Sequence, residues 1–340
     1  MLIQSIIYNP AMIEGKMKEI DIKAIEDIAV GQAENAVAGT GCTVLISRAG
    51  MPAGLAVRGG GPASRESELL NPLAAAQAIH AIVLAGGSAF GLGAADGVMR
   101  YLEEQEIGVA RVSLVVQSNL YDLSVGDCSV RPDAKMGYEA ARRAFESPNY
   151  KDGNYGAGCG ATVGKLAGMN SCMKSGIGSC AIQIGALKIG AIVALNALGD
   201  IYDWKTGKKI AGLLTEDRKA FQDSTGYMRQ SIAVKENKFT GNTTLAVIIT
   251  NAAFDKARLC KIADMAHDGY ARSIRPFHTS ADGDSIYAVS VGQVEADQDL
   301  VGELAAEAVS EAIIRAINSA ESAYGCISAR DFHEEQGQGS

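Results

Sequence analysis

A polar turn that leads directly into an apolar run constrains the fold of this chain most. Residues 241–244 read Gly-Asn-Thr-Thr, and the five residues at 245–249 are all apolar. A short, uninterrupted apolar run bounded by a turn is typical of a strand buried on both faces. Glycine and asparagine tolerate the positive φ angles of tight turns. The pattern therefore predicts that the hydroxyl group of Thr243 lies at the start of a core strand, in a fixed direction.

The sequence leaves two interpretations of this turn open. In the first, the turn does no more than begin a strand. In the second, the Thr243 hydroxyl attacks the carbonyl group of Asn242, and hydrolysis of the resulting ester leaves Thr243 as a new N-terminus. The released α-amine has a pKa of about 7.7. It can then serve as the base that a threonine hydroxyl lacks in mid-chain.

Charge, aromatic content and cysteine spacing argue against several classes of function. The net charge of the 340 residues is −8, aromatic residues make up 6%, and the basic residues form no stripe. Because neither phosphate neutralisation nor base stacking is provided for, we expect no nucleic-acid partner. The seven scattered cysteines never form a C-x-x-C spacing, which predicts reduced thiols, a cytoplasmic protein and no zinc site. No apolar run reaches the roughly 18 residues of a membrane span, so we expect no secretion signal and no membrane anchor.

Patterning along the chain predicts alternating strands and helices. Strands are predicted at 42–46, 54–58, 81–85, 179–187, 188–195, 244–250 and 285–291. Helices are predicted at 73–80, from the glycine turn after residue 85 to about residue 104, and at 135–145, 255–270 and 299–323. We expect the first two strands to form a hairpin across a turn with Gly50 and Pro52. Asn71 and Pro72 have the residue types of a helix start.

Two further stretches of the sequence are predicted to lack regular structure. Residues 203–241 are the most polar part of the chain, which predicts a mobile loop on one side of the Asn242–Thr243 bond. The tail at 334–340 is predicted to be disordered.

Two glycine-rich turns match catalytic motifs only in part. Residues 86–91, Gly-Gly-Ser-Ala-Phe-Gly, follow an apolar run, but Phe90 occupies the position of the last glycine in the nucleophile elbow G-x-S-x-G. Ser88 is therefore either a nucleophile or the start of a helix packed closely against its strand. The phosphate-loop pattern G-x-x-x-x-G-K-[ST] fails at Cys159 and at Leu166, on either side of Lys165. We expect no nucleotide site there.

Several motifs together give the chain a family resemblance: Gly-Asn-Thr-Thr at 241–244, Thr-Asn at 250–251, Pro-Phe-His-Thr at 276–279, Asp-Gly-Asp at 282–284 and the glycine turn at 86–91. From about residue 25 to about residue 325, the sequence resembles the self-cleaving hydrolases called P1 or S58 peptidases. That family includes L-aminopeptidase/D-esterases, β-peptidyl aminopeptidases and nylon-oligomer hydrolases. The motifs look most like those of the nylon-oligomer hydrolase branch.

The resemblance implies an α+β fold, a four-layer αββα sandwich in a single domain that spans residues 1–340. It also implies self-cleavage into a large fragment, residues 1–242, and a small fragment, residues 243–340, which remain associated. Protomers are expected to assemble into a homo-oligomer, a tetramer or larger. The chemistry needs no metal and no organic cofactor.

Residue by residue, the resemblance implies a set of catalytic positions. Thr243 matches the nucleophile, and Asn242 matches the residue from which it is cut. Asp282 and Asp284 match acidic residues that hold and polarise the new N-terminus. The other matches are a lysine of the same cluster, a tyrosine near the scissile bond and the side-chain amide of the oxyanion hole: Lys165, Tyr121 and Asn196.

Electrostatics supports these roles, although each residue also has an ordinary alternative. A protonated Lys165 disfavours the ammonium form of a nearby terminal amine, whereas Asp282 and Asp284 favour it. The balance keeps the pKa of the amine near neutrality, so that the amine can act as a base. Asn196 at a strand end can present a rigid N–H donor to an oxyanion. The alternatives are a solvated lysine, a simple acidic turn, a tyrosine at the edge of the core and a strand-end cap.

Three hypotheses for function follow. The first is an N-terminal-nucleophile amidohydrolase that acts on short peptides or peptide-like amides, including ω-amino acid oligomers. The second is an acyltransferase that resembles ornithine acetyltransferase, in which an amine acceptor outcompetes water. The third is an uncut binding or scaffolding protein, which the intact mass would reveal.

Overall fold

Two mixed β-sheets dominate the computed structural model, which describes residues 16–230 and 241–337. The strands are β1 Lys18–Ile20, β2 Ala29–Asn35, β3 Thr40–Met51, β4 Ala53–Val57, β5 Ala63–Arg65, β6 Ile79–Ala85, β7 Val115–Asn119, β8 Thr162–Val163, β9 Met173–Lys174, β10 Ile177–Ile184, β11 Leu187–Asn196, β12 Asp200–Tyr202, β13 Lys209–Ala211, β14 Thr243–Ala252, β15 Ile274–Arg275 and β16 Ser285–Val294. The α-helices are α1 Ala94–Glu104, α2 Ala134–Glu146, α3 Ser224–Gln230, α4 Lys256–Ser273, α5 Gln298–Asn318 and α6 Ala329–Gly337.

The larger sheet has six strands in the order β1-β10-β11-β14-β16-β4, and the smaller has five in the order β2-β3-β6-β7-β5. Each sheet contains one parallel pair, β14 with β16 and β6 with β7, among antiparallel neighbours. The parallel pairs need long crossovers, which α4 and α1 supply. Helices therefore lie on the outer face of each sheet.

The residues of β14 show why the apolar run is unbroken. Leu245, Val247 and Ile249 face the five-stranded sheet and pack in the core between the two sheets. Ala246 and Ile248 face the other way and pack beneath α4 and α5. Both faces of the strand are covered along residues 245–249, which accounts for an apolar residue at each position of this run. The sequence-based prediction of a core strand is confirmed.

Four layers result from this packing. Helices α4 and α5 cover the six-stranded sheet, and α1 and α2 cover the five-stranded sheet. Close approach of α5 depends on Gly178 in β10, where a Cβ atom would lie 2.2 Å from the carbonyl oxygen of Ala312. The predicted αββα sandwich is confirmed. In the described part of the chain, no helix is long and apolar enough to cross a bilayer.

The predicted hairpin between residues 42–46 and 54–58 was wrong. Strand β3 pairs with β2 and β6 in the smaller sheet, whereas β4 pairs with β16 at the edge of the larger one. Met51 and Ala53, on either side of Pro52, are buried between the two sheets. The turn signal therefore marks a crossing from one sheet to the other.

The predicted helix at 73–80 was also wrong. The side chain of Asn71 accepts a hydrogen bond from the backbone N–H of Leu73 at 3.0 Å, which closes a turn without starting a helix. Leu73 is 93% exposed, and the chain enters β6 at Ile79.

Of the predicted loop at 203–241, residues 231–240 lie outside the described residues, and the remainder includes β13 and α3. The predicted disordered tail begins too early, because α6 continues to Gly337; residues 338–340 lie outside the described residues.

Candidate active site

Three strand ends meet at Thr243, the first residue of β14. Strand β11 is antiparallel to β14 and ends at Asn196, which pairs directly with Thr243. Strand β16 is parallel to β14 on its other side and begins at Ser285, immediately after Asp284. The end of one strand and the beginnings of two others therefore lie side by side at the same end of the sheet. Polar residues that are distant in sequence are brought together there by the strand register.

The bond between Asn242 and Thr243 lies in a buried, polar setting. The Thr243 hydroxyl donates a hydrogen bond to the carbonyl oxygen of Asn242, and the backbone N–H of Gly283 donates to the same oxygen at 2.9 Å. A donor aimed at this carbonyl stabilises the negative charge that nucleophilic attack would create on it. A Cβ atom at Gly283 would lie 2.6 Å from the hydroxyl oxygen of Thr243. Glycine is therefore required at this position for the hydroxyl to fit.

The turn before the bond is shaped by Gly241 and Tyr121. Gly241 has a φ angle of +57°, a conformation that favours glycine. A Cβ atom on Gly241 would lie 2.1 Å from the ring of Tyr121. The ring of Tyr121 thus packs against the turn at Gly241, and its carbonyl oxygen accepts a hydrogen bond from Asn196 Nδ2 at 2.9 Å.

The amide group of Asn196 is held in one orientation. Its Oδ1 accepts hydrogen bonds from Lys165 Nζ at 2.8 Å and from the backbone N–H of Thr162 at 3.1 Å. Both contacts are with donors, so they identify this atom as the oxygen and place Nδ2 on the opposite side. Nδ2 carries two N–H groups, of which one reaches Tyr121. The second can serve an oxyanion next to Thr243.

Lys165 and Asp282 are both buried, and burial shifts both pKa values toward neutrality. It lowers the pKa of Lys165 from 10.5 to about 8, against the opposing effect of neighbouring groups, first Cys172 and then Asp282. It also raises the pKa of Asp282 from 3.8 to about 6, an effect to which the charge of Asp284 adds. Perturbed pairs of this kind are typical of acid–base chemistry. Either group can exchange a proton near pH 7.

The two acidic residues hold the loop against the start of β14. Asp284 Oδ1 accepts a hydrogen bond from the backbone N–H of Thr244 at 2.8 Å. Asp282 Oδ2 accepts from the backbone N–H and the hydroxyl of Thr279 at 2.8 and 2.5 Å. The register also places Asn242 beside Asp282 in a parallel bridge. Asp284 therefore lies one residue from the nitrogen that self-cleavage would release.

A pair of histidines behind Asp284 was missed by the sequence reasoning. His278 Nδ1 lies 2.8 Å from Asp284 Oδ2, and its Nε2 lies 3.1 Å from His267 Nδ1. His267 Nε2 lies 3.1 Å from the carbonyl oxygen of Ala56. A carbonyl oxygen can only accept, so the His267 proton is on Nε2 and Nδ1 accepts from His278.

This hydrogen-bond order makes His278 the donor to the ring of His267. Burial lowers the pKa of His267 to about 4, so its ring is neutral at pH 7. His278 Nε2 therefore donates to that ring, while His278 Nδ1 lies 2.8 Å from the carboxylate of Asp284. The side chain of His278 thus connects Asp284 to His267. Its place within the Pro-Phe-His-Thr segment at 276–279 was the only signal in the sequence.

A family model decides what kind of protein carries this arrangement. The model described as peptidase family S58 matches residues 21–329. The chain belongs to peptidase family S58. It is accordingly a peptidase or amidase that hydrolyses amide bonds in peptides or oligoamides. The resemblance inferred from the motifs is confirmed.

Two relatives illustrate the range of this S58 family. A Mycobacterium leprae protein named as an uncharacterised aminopeptidase is 36% identical over 84% of this chain and 84% of its own length. A 6-aminohexanoate-oligomer endohydrolase of Kocuria sp. is 29% identical over 85% of this chain and 83% of its own. The acyltransferase alternative finds no support among these relatives.

The fold of this S58 peptidase is shared with a solved structure. The L-aminopeptidase D-Ala-esterase/amidase of Ochrobactrum anthropi, described as a variant of the Ntn hydrolase fold, matches with a TM-score of 0.67. The match covers 92% of this chain and 93% of that one at 16% identity. At this identity the comparison concerns the fold alone.

Ser88, which the sequence offered either as a nucleophile or as the start of a helix, lies at a helix start in this S58 peptidase. It begins a 3-10 helix, Ser88–Gly93, that leads into α1. Its backbone N–H donates to Leu120 at 3.0 Å, and its carbonyl oxygen accepts from the side chain of Asn119 at 2.5 Å. These contacts fit the start of a helix packed against its strand.

Proposed function

We propose that this S58 peptidase cleaves itself between Asn242 and Thr243 and then uses Thr243 as an N-terminal nucleophile. The observation that carries the proposal is the contact between the Thr243 hydroxyl and the Asn242 carbonyl, together with the Gly283 N–H aimed at the same oxygen. Nucleophile, carbonyl and oxyanion donor thus occur together before any cut. Positioning of this kind supplies a large part of the rate of intramolecular reactions.

Self-cleavage proceeds in two balanced steps. The Thr243 oxygen attacks the carbonyl carbon of Asn242, the C–N bond breaks, and the hydroxyl proton ends on the departing nitrogen. Water then hydrolyses the ester, which leaves a carboxylate on Asn242 and a free amine on Thr243. Asp282 and Lys165, with pKa values of about 6 and about 8, are the groups near the bond that can carry the proton between these atoms.

The same machinery then serves an external amide. The substrate carbonyl takes the place that the Asn242 carbonyl occupied, within reach of the Gly283 N–H and the free Asn196 N–H. The Thr243 amine accepts the hydroxyl proton during attack and delivers it to the leaving amine. Asp284, in contact with His278, anchors the backbone next to this amine.

Substrates are proposed to be short peptides and peptide-like amides, including ω-amino acid oligomers. The names of the two relatives, an aminopeptidase and a 6-aminohexanoate-oligomer endohydrolase, support both classes. Hydrolysis of an aminoacyl anilide and of a 6-aminohexanoate oligomer should be compared directly. We also propose a cytoplasmic location, from the scattered cysteines, and a homo-oligomer, a tetramer or larger, from the sequence resemblance. Sedimentation analysis tests the assembly.

Trapping the acyl-enzyme tests the nucleophile. Acid quenching of protein incubated with a slowly hydrolysed ester should leave one acyl group on fragment 243–340, attached to Thr243. Thr244→Val is the matched control, because the buried Thr244 hydroxyl has no hydrogen-bond partner within the described residues. This variant should still be labelled. Labelling elsewhere, or loss of labelling in Thr244→Val with the fold intact, contradicts the proposal.

A further inference from the structure

Cys172 and Cys326 form a close pair of thiols, both near enough to Lys165 to influence its pKa. Their sulfur atoms lie 3.4 Å apart and share a hydrogen bond. The following residues, Met173 and Ile327, form a parallel bridge, and the N–H of Lys174 donates to the carbonyl oxygen of Ile327 at 2.8 Å. The backbone therefore holds the two thiols side by side. A bond between the sulfur atoms requires an approach of little more than 1 Å.

The two thiols differ in reactivity. The hydrogen bond from Cys172, helped by the positive charges of Lys174 and Arg218, lowers the pKa of Cys326 to about 7. The same hydrogen bond, together with burial, raises the pKa of Cys172. The thiolate is the reactive form of cysteine, so Cys326 is the nucleophile of the pair.

Cys326 is also the thiol that lies nearer to solvent. It lines a surface cleft of about 1100 Å³ together with Arg218, Lys219 and Ser322. Cys172 is completely buried behind it. A small disulfide compound in the cleft therefore meets Cys326 first, and Cys172 is placed to resolve the product.

We propose that Cys172 and Cys326 form a redox-controlled cross-link, with a low-molecular-weight disulfide such as oxidised glutathione as the oxidant. Its consequence rests on the proposed self-cleavage, because Cys172 belongs to fragment 1–242 and Cys326 to fragment 243–340. In the cleaved enzyme, the bond joins two chains that non-covalent packing alone otherwise holds together. Oxidation converts a two-chain enzyme into a covalently closed one.

The reaction is an ordinary double thiol–disulfide exchange. The Cys326 thiolate attacks one sulfur of the oxidant, whose S–S bond breaks and releases one thiolate. The thiol proton of Cys172 passes to that released thiolate, and Cys172 then attacks the sulfur of Cys326 and displaces the second thiolate, which takes a proton from water. Two cysteine thiols are oxidised, and one disulfide is reduced to two thiols.

A denaturing gel without reductant tests the cross-link. The protein should carry Cys128→Ser, because Cys128 is exposed and would react by itself. After treatment with oxidised glutathione and blocking of free thiols, the two fragments should migrate as one species and separate again on reduction. Adding Cys326→Ser should keep the fragments separate. Adding Cys172→Ser should stop the reaction at a glutathione adduct on Cys326.

Peptide mapping of Thr243→Ala separates failure of this proposal from failure of the proposed function. In that uncut chain, oxidised glutathione should still produce a peptide that joins Cys172 to Cys326. A wild-type protein that never cleaves but forms this peptide overturns the fragment linkage alone and supports the thiol pair. Absence of the joined peptide in both proteins, or a fragment cross-link that persists in Cys326→Ser, overturns the cross-link itself.

Discussion

Replacing Gly283 with alanine tests how closely the Thr243 hydroxyl must fit against the acidic loop. A Cβ atom at this position would lie 2.6 Å from the Thr243 hydroxyl oxygen and 2.9 Å from the carbonyl oxygen of Gly61. Real Cβ contacts essentially never fall below 3.0 Å, so the hydroxyl or the loop has to move. Alanine keeps the backbone N–H that serves the Asn242 carbonyl. The substitution therefore changes the fit and leaves the donor in place.

The size of the effect follows from the required movement. A misplacement of about 1 Å between reacting groups costs roughly 100-fold in rate, and the clash here requires several tenths of an ångström or more. We expect Gly283→Ala to slow self-cleavage by about 10- to 100-fold. The rate is measured on chains made by cell-free synthesis, sampled over time on a denaturing gel. Gly93→Ala is the control, because a Cβ there meets nothing within 4 Å and φ is −66°.

Two outcomes decide this test. A Gly283→Ala chain that is folded by circular dichroism and cleaves at the parent rate refutes the reasoning. A slowed chain should recover part of its rate when Thr243→Ser is added, since serine lacks the methyl group that restricts the threonine rotamer. Recovery also shows that Gly283→Ala did not simply unfold the protein.

Three further predictions concern the same site. Asn196→Asp keeps an acceptor for Lys165 but removes the amide donors, and it should lower kcat by about 100-fold in steady-state assays. The rate of self-cleavage should rise as the pH passes about 6, where Asp282 loses its proton, and fall as it passes about 8, where Lys165 loses its own, following their pKa values in the uncut chain; Asp282→Asn should remove the acid limb. His278→Gln cannot keep both contacts of the ring, to Asp284 and to His267, and should lower kcat/KM by roughly tenfold or more, whereas unchanged kinetics would exclude a role for His278.

The strand at 245–249 was predictable because both of its faces are buried, which forces an apolar residue at every position. Residues of the helix at 255–270 were predictable for a related reason, since Leu259, Ile262 and Ala266 recur on one face and all three are buried. Local sequence also limits what such patterns predict. The turn at Gly50 and Pro52 looks the same whether the chain folds back or crosses to another sheet.

The candidate site depended on long-range pairing that periodicity cannot supply. Asn196 meets Thr243 only through the register of β11 and β14, and the family resemblance was needed to connect them. His267 contacts the site only through the ring of His278, and Gly283 contributes its backbone N–H. The residue types of these two positions therefore gave no signal. A buried lysine is also an unusual outcome for the sequence, because Lys165 is most simply read as a surface residue.

The mass and the N-terminal sequence of the purified, active protein show whether Thr243 becomes a chain end. Two chains are expected, residues 1–242 and residues 243–340, with the smaller one beginning at Thr243. Thr243→Ala should remain a single inactive chain. Active protein that retains an unbroken Asn242–Thr243 bond would contradict catalysis by an N-terminal threonine.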